Sequence, residues 1–349
     1  MLEPLFAYFR SDLALDLGTV NTRIGMPGEG IILDEPSLVA IEQGSRGILS
    51  GGCAVGHLAQ QMRGRTPDSL AVVRPLREGV IADFELCEAM LRYFLRKAKR
   101  PGWRLKPRVL VGVPGCITPV EKRAVVNSAH RAGARQVFLL AQAKAAAIGV
   151  GLPVVEPAAS MICDIGAGTT EVAVLSLADV VSHASIRVAG DAMDQAIVAY
   201  LRRHYSLRVG PAAAERLRID IGSAYTLQEE RVEEVRGLDA ASGLPRKAVI
   251  TSEEVREALA EPLEAIVEAI KTCLDGCAPD LAADLMDNGM VLCGGGALVR
   301  GIERYLSEQT GLAVRVAPDP LLAVAKGALV CLEQLDRQRP LLESGDEDS

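Results

Sequence analysis

The sequence predicts an α/β fold assembled from a duplicated unit, and three observations predict it. Strand-like apolar runs alternate with amphipathic helical stretches along the chain, the pattern of layered α/β domains. The stretch DLALDLGTVNT (12–22) runs from strand into glycine turn with a carboxylate at the strand's end. ASMICDIGAGTTEVAVLSLADV (159–180) repeats that design, Asp16-Leu-Gly-Thr against Asp164-Ile-Gly-Ala-Gly-Thr-Thr. A third glycine turn, VLCGGGALVRGIERYL (291–306), follows a strand and opens a helix. Two copies of one design imply a ligand held between them.

The elements between these turns follow in order. GEGIILDEPSLVAI continues the first copy as two more strands. DFELCEAMLRYFLRKAK (83–99) sets Phe84, Leu86, Cys87, Met90, Leu91, Phe94 and Leu95 at helical spacing, an amphipathic helix. RVLVGVP (108–114) is a buried strand stopped by proline, and TPVEKRAVVNSAHRAGA is a helix capped by Thr118. The tail DRQRPLLESGDEDS is acidic at its end, lacks periodicity and reads as disordered.

Composition excludes several classes. A chain of 349 residues with 49% hydrophobic content holds one large domain or two moderate ones. No apolar run reaches the roughly 18 residues that a membrane span needs. A net charge of −7 and a pI near 5.4 argue against nucleic acid as a partner, because phosphate backbones select basic surfaces. The eight cysteines, at 53, 87, 116, 163, 273, 277, 293 and 331, form no paired C-x-x-C set and read as reduced thiols of a cytosolic protein. No catalytic triad, metal-binding histidine set or sugar-kinase base motif is present.

The turns carry the chemistry of phosphate binding. Glycines let backbone N–H groups approach an anion closely, and threonine hydroxyls add donors. Asp16 and Asp164 repel phosphate, so they make sense as outer-sphere partners of a hydrated Mg²⁺. One glycine turn alone is as easily an ordinary tight turn; three, two of them with matching aspartates, are specific in combination.

These residues resemble the actin, heat-shock chaperone and sugar kinase superfamily and, within it, the MreB family of bacterial actin homologues. DLALDLGTVNT, EPSLVAI, RPLREGVIADF, PRVLVGVP, DIGAGTTEVAVLSL, AERLRIDIGSAY and GMVLCGGGALVRGI carry the likeness, which runs from about residue 12 to 330. The resemblance implies an actin-like fold of two α/β domains, 12–150 and 151–335, with a nucleotide cleft between them. Smaller subdomains would lie at about 33–79 and 191–249, and 320–335 would return to the first domain. It implies ATP with Mg²⁺ as cofactor. Asp16, Gly18, Thr19, Asn21 and Thr22 would form the first phosphate loop, and Asp164, Gly166, Gly168, Thr169 and Thr170 the second, with Asp16, Asp164 and Thr169 serving hydrolysis. Gly294, Gly295 and Gly296 would pack against adenosine. Glu215 and Arg218 would contact sugar or base, or else line a solvated helix face; Arg218 stands where the family has lysine.

Two departures bear on turnover. In AQAKAAAIG (141–149), Gln142 takes the place of the family's glutamate that positions the attacking water, as glutamine does in actin. Glutamine orients water without acting as a base. Ala167 stands where a glycine is usual, adding a Cβ and removing φ > 0 freedom. The expectation is retained binding with weakened turnover.

MLEPLFAYFR sets Leu2, Leu5, Phe6 and Phe9 at i, i+3, i+4 and i+7, and the basic loop KRPGWRLKPR holds Trp103 and Leu105. Membrane-associated members of the family resemble this, so 1–11 reads as an interfacial helix and the loop as a second contact with anionic lipid. A helix folded on its own core, and a partner-binding or solvated loop, are the alternatives. The function implied is a homopolymeric ATP-dependent filament, a slow ATPase, in the cytoplasm on the inner face of the membrane. There it would organise the membrane proteins of cell-wall elongation. The alternative is a paralogue that binds nucleotide, hydrolyses it poorly and serves as a static membrane scaffold. A heat-shock chaperone would carry a further substrate-binding domain.

Overall fold

The structure, a computed structural model, describes residues 12–42, 54–63, 67, 69–100, 106–334 and 343–344. The amphipathic stretch 1–11 and the loop tip with Trp103 and Leu105 lie outside them. The chain forms two units, Met1–Leu152 with Leu322–Ser349, and Pro153–Leu321.

The first unit opens with three antiparallel strands, β1 (Asp12–Leu17), β2 (Asn21–Met26) and β3 (Gly30–Pro36). A two-stranded ribbon of β4 (Val39–Glu42) and β5 (Leu70–Val73), with helix α1 (His57–Met62), and a hairpin of β6 (Leu76–Arg77) and β7 (Val80–Ile81) follow. Helix α2 (Phe84–Ala98) begins where Asp83 accepts the Leu86 N–H, and it buries Leu86, Cys87, Met90, Leu91, Phe94, Leu95 and Ala98. Strand β8 (Arg108–Val113) runs parallel to β1 and β9 (Gln136–Ala141) parallel to β8. Between them, α3 (Pro119–Ala132) starts on a Thr118–Glu121 capping box and stops at left-handed Gly133. Helix α4 (Gln142–Gly149) follows β9 directly.

Strand β1 is buried on both faces. Leu13, Leu15 and Leu17 belong to the core that α2 and α3 close. The other face, through Gly25 of β2 and Gly112 of β8, lies under the returning helix Ala323–Glu333, where added Cβ atoms would meet Leu329 and Val324. That helix also meets α4 backbone to backbone: a Cβ on Gly149 would collide with the Ala323 carbonyl, and one on Gly327 with that of Ala145. Gly149 and Gly327 thus allow the close approach of α4 and the returning helix. Glu343–Ser344, inside the stretch read as disordered, adds a short antiparallel strand to the open edge of β9, where backbone pairing needs no side-chain periodicity.

The second unit repeats the scheme. Strands β10 (Ser160–Ile165), β11 (Thr170–Ser176) and β12 (Asp179–Ile186) form an antiparallel meander, and β16 (Met290–Cys293) and β17 (Val314–Val316) add parallel on the other side of β10. Its order β12-β11-β10-β16-β17 matches β3-β2-β1-β8-β9 of the first unit. Between meander and crossover lie α5 (Gly190–Tyr205), β13 (Leu207–Arg208), α6 (Pro211–Ile221), the hairpin β14 (Val232–Asp239) and β15 (Pro245–Thr251), and the long α7 (Ser252–Asp275). Helix α7 starts on a second capping box, Thr251 with Glu254. Helix α8 (Pro279–Asn288) leads into β16. The third glycine turn does not open directly into a helix. A 3-10 turn, Gly295–Leu298, intervenes, and α9 (Ile302–Thr310) begins only after left-handed Gly301.

Candidate functional site

The two aspartate turns have the same construction. In the first unit the Gly18 N–H donates to the Asn21 carbonyl at 3.1 Å; in the second the Gly166 N–H donates to that of Thr169 at 2.9 Å. Glycine is required at residue 18, where a Cβ would stand 2.5 Å from the Asn21 oxygen, and favoured at residue 166, where one would stand 3.1 Å from the Thr169 oxygen. Each turn carbonyl is held by the next segment: Gly18 accepts the Ser37 hydroxyl at 2.7 Å, and Gly166 accepts the Gly190 N–H at 3.2 Å.

This construction sorts the predicted residues. Thr22 and Thr170 occupy matching positions, are fully buried and are engaged inward, Thr22 with the Ser37 hydroxyl at 2.8 Å and Thr170 donating to the Val188 carbonyl at 2.7 Å. Both brace the turns from below. Thr19 is buried too, its hydroxyl accepting the Gly79 N–H of the β6–β7 hairpin at 3.1 Å. Asn21 opens β2 half-buried, while Gly168 and buried Thr169 close the second turn. Ala167 matches Thr19 and does not have positive φ. The turn takes a β-branched residue at the same place in the first copy, so the loss of left-handed freedom expected from this alanine has no structural cost.

Asp16 lies at the centre of a row across four strands. Its direct neighbours are Gly112 on β8 and Arg23 on β2, and Arg23 in turn faces Asp34 on β3. The Arg23 Nη1 is 3.5 Å from Asp16 Oδ2, and its Nε is 3.2 Å from Asp34 Oδ2. Burial pushes the Asp16 carboxyl up to about 6, against the opposing pull of Arg23. Gln142 stands over the other end of the row: its Cγ is 3.6 Å from where a Cβ on Gly112 would lie. Asp16 and Gln142, far apart in sequence, are thereby neighbours across a glycine.

The corresponding row of the second unit reads Cys293, Asp164, Glu171 and Ser185, with the Ser185 hydroxyl donating to Glu171. The Asp164 carboxylate lies against the third glycine turn. At Gly294, with φ of 78°, a Cβ would collide with both the Ile165 carbonyl and Asp164 Oδ1. Gly296 is similarly filled by Ile165, so of the three glycines Gly295 has the open face.

Arg218 is not on a solvated face. Its side chain, 12% exposed, donates Nε–H to Asp194 Oδ1 of α5 at 2.6 Å, and its Nη2 is 3.5 Å from where a Cβ on Gly190 would stand. Since Gly190 holds Gly166, Arg218 is one residue removed from the second turn. Burial raises the Asp194 carboxyl, opposed by Arg218 and reinforced by nearby Glu215 and Asp191. Glu215 is half-buried in this cluster.

Sequence reasoning missed Arg23. The signal was present: a guanidinium in the strand NTRIGM, which carries no other charge, must be paired if buried, and four residues, 18–21, between the paired Leu17 and Thr22 put residue 23 opposite residue 16. Among the described residues, no three carboxylate, imidazole or thiolate side chains converge into a metal cage. Asp16 and Asp164 each offer a carboxylate beside a glycine turn, the hard oxygen donor type that a Mg²⁺ accepts directly or through water. Also among the described residues, no helix is long and apolar enough to cross a membrane.

Residues 10–340 match the family described as MreB/Mbl protein. The cell shape-determining protein MreB of Escherichia coli strain K12 is 51% identical over 337 residues, covering 96% of this chain and 97% of that protein. Among solved structures, MreB5 of Spiroplasma citri bound to AMPPNP superposes with a TM-score of 0.88 at 34% identity, covering 95% of this chain and 98% of that one. A MamK double helical filament superposes with a TM-score of 0.78 at 25% identity, over 92% of this chain and 99% of that one. The actin-like fold that the family resemblance implies is the fold observed.

Proposed function

The chain belongs to the MreB/Mbl family of actin-like, cell shape-determining proteins, and from that premise we propose that it binds ATP with Mg²⁺ and polymerises into filaments. The observation that carries the reading is the pair of matched Asp-x-Gly turns, each closed by the same backbone hydrogen bond, with a third glycine turn seated on the second aspartate. The AMPPNP held by the Spiroplasma relative and the filament formed by MamK support it.

In this reading Gly18 and Thr19 of the first unit and Gly166, Gly168 and Thr169 of the second contribute the close backbone approach that phosphates require. Asp16 and Asp164 are the carboxylates that would hold a Mg²⁺ through water, and the ion would supply charge that neutralises the phosphates. Gln142 accepts from and donates to a water through its amide, orienting it without removing its proton. Gly295 offers the flat surface for the base, and Glu215 and Arg218 border the second turn. The filament works on the inner face of the cytoplasmic membrane, where it organises cell-wall synthesis.

Thermal denaturation tests the nucleotide assignment. Binding confined to the native state stabilises by about 2.7 kcal/mol at a hundredfold excess over Kd. ATP with Mg²⁺ should raise Tm, and EDTA should shrink the rise; an unchanged curve at millimolar ATP and Mg²⁺ would refute nucleotide binding.

A further inference from the structure

The two turns share their aspartate, their first glycine, their closing hydrogen bond and the buried threonine at Thr22 and Thr170, and at the next position, the seventh after each aspartate, they carry opposite charges. There the second unit places Glu171 and the first places Arg23. Arg23 and Asp16 are both about nine-tenths buried, whereas Asp34, the other partner of Arg23, has a side chain 49% exposed. Water screens the charge of Asp34 far more than it screens the inner pair. At the first turn, then, Asp16 already has a cation beside it. A carboxylate with one oxygen facing a guanidinium keeps lone pairs for a hydrated metal, but it attracts that metal less strongly.

We propose that Arg23 is a positioning residue for nucleotide. It orients the Asp16 carboxylate and supplies, from within the protein, part of the positive charge that a nucleoside triphosphate otherwise draws from its divalent cation. Nucleotide affinity in this chain therefore depends less on Mg²⁺ than the two aspartates alone would dictate. Arg23 is buried beside the turn whose glycine admits the phosphates, so its field reaches them with little screening. The inference rests on the nucleotide reading above.

The experiment measures Kd for a fluorescent ATP analogue in millimolar Mg²⁺ and in EDTA, below the concentration for polymerisation. The ratio of the two constants is the coupling between metal and nucleotide. Arg23→Met should enlarge that ratio at least about fivefold, the lower end of ordinary coupling between ligands. Arg23→Lys should stay near wild type. Asp34→Asn, which frees Arg23 from its outer partner, should move the ratio the opposite way. An Arg23→Met ratio equal to wild type, or Asp34→Asn shifting it in the same direction as Arg23→Met, overturns the proposal. So does an equal loss of affinity with and without Mg²⁺, which is the signature of a merely structural role. If Arg23→Met does not fold, Asp34→Asn decides alone: an unchanged or larger ratio refutes the idea. A wild-type protein that binds no analogue even in Mg²⁺ overturns the nucleotide reading itself, an outcome distinct from all of these.

Discussion

Arg218 and Asp194, on two different helices of the second unit, form a buried ion pair with Nε 2.6 Å from Oδ1. Removing the cation leaves a carboxylate in a poorly hydrated place, close to Glu215 and Asp191. Arg218→Met should therefore destabilise the protein by about 3 kcal/mol, the usual cost of breaking a buried pair from one side. Arg218→Met combined with Asp194→Leu should recover much of that loss. Denaturant midpoints of the two variants check this, and equal midpoints would mean that the pair is not the source of the cost.

Gln142 is held beside Asp16 by the glycine-to-backbone packing of α4 against the returning helix. If it orients the attacking water, Gln142→Ala should lower phosphate release without abolishing nucleotide binding. Gln142→Glu, restoring a base, should raise it. Equal release rates from all three proteins would remove Gln142 from turnover.

Glu35 joins β3 to α1 and α2, accepting the His57 N–H at 2.8 Å and pairing with Lys97. Burial pushes its carboxyl up, but Lys97 and the His57 N–H together outweigh burial and hold it below the ordinary 4.5. A lowered folded value means that the unfolded chain binds the proton more readily. The stabilisation is therefore present above about pH 4.5 and is lost as pH falls through the folded value. Glu35→Gln should lower Tm at pH 7 and flatten the decline below pH 5. A parallel decline in both proteins would show that Glu35 does not contribute to it.

The membrane expectation rests on Leu2, Leu5, Phe6 and Phe9 and on Trp103 and Leu105. Burying each of the first four contributes on the order of 1.5–3 kcal/mol before the ordering cost of the helix, which makes a lone subunit's attachment marginal. A filament links many such anchors and so binds by avidity. Wild-type protein should pellet with anionic liposomes mainly when polymerised. Deleting residues 1–10 should weaken pelleting, and adding Trp103→Ala should weaken it further. If the doubly altered protein pellets like wild type under filament-forming conditions, neither segment is the anchor.

The sequence by itself determined the duplicated strand-turn-strand design, the places of both aspartates and the glycine turns, and the helix starts at Asp83 and Thr118. These are local: a cap bonds three residues on, and a turn closes within four, so a short stretch contains every atom involved. Only the tertiary structure decided what the turn threonines bond to, because Thr22 and Thr170 are claimed by Ser37 and Val188 from later segments. The same holds for the charges. Arg23 opposite Asp16 and Asp34, Arg218 against Asp194 and Gln142 over Gly112 are fixed by strand register and helix packing between distant positions. Burial then makes those pairings obligatory, since a charge removed from water must find a partner wherever the chain path brings one.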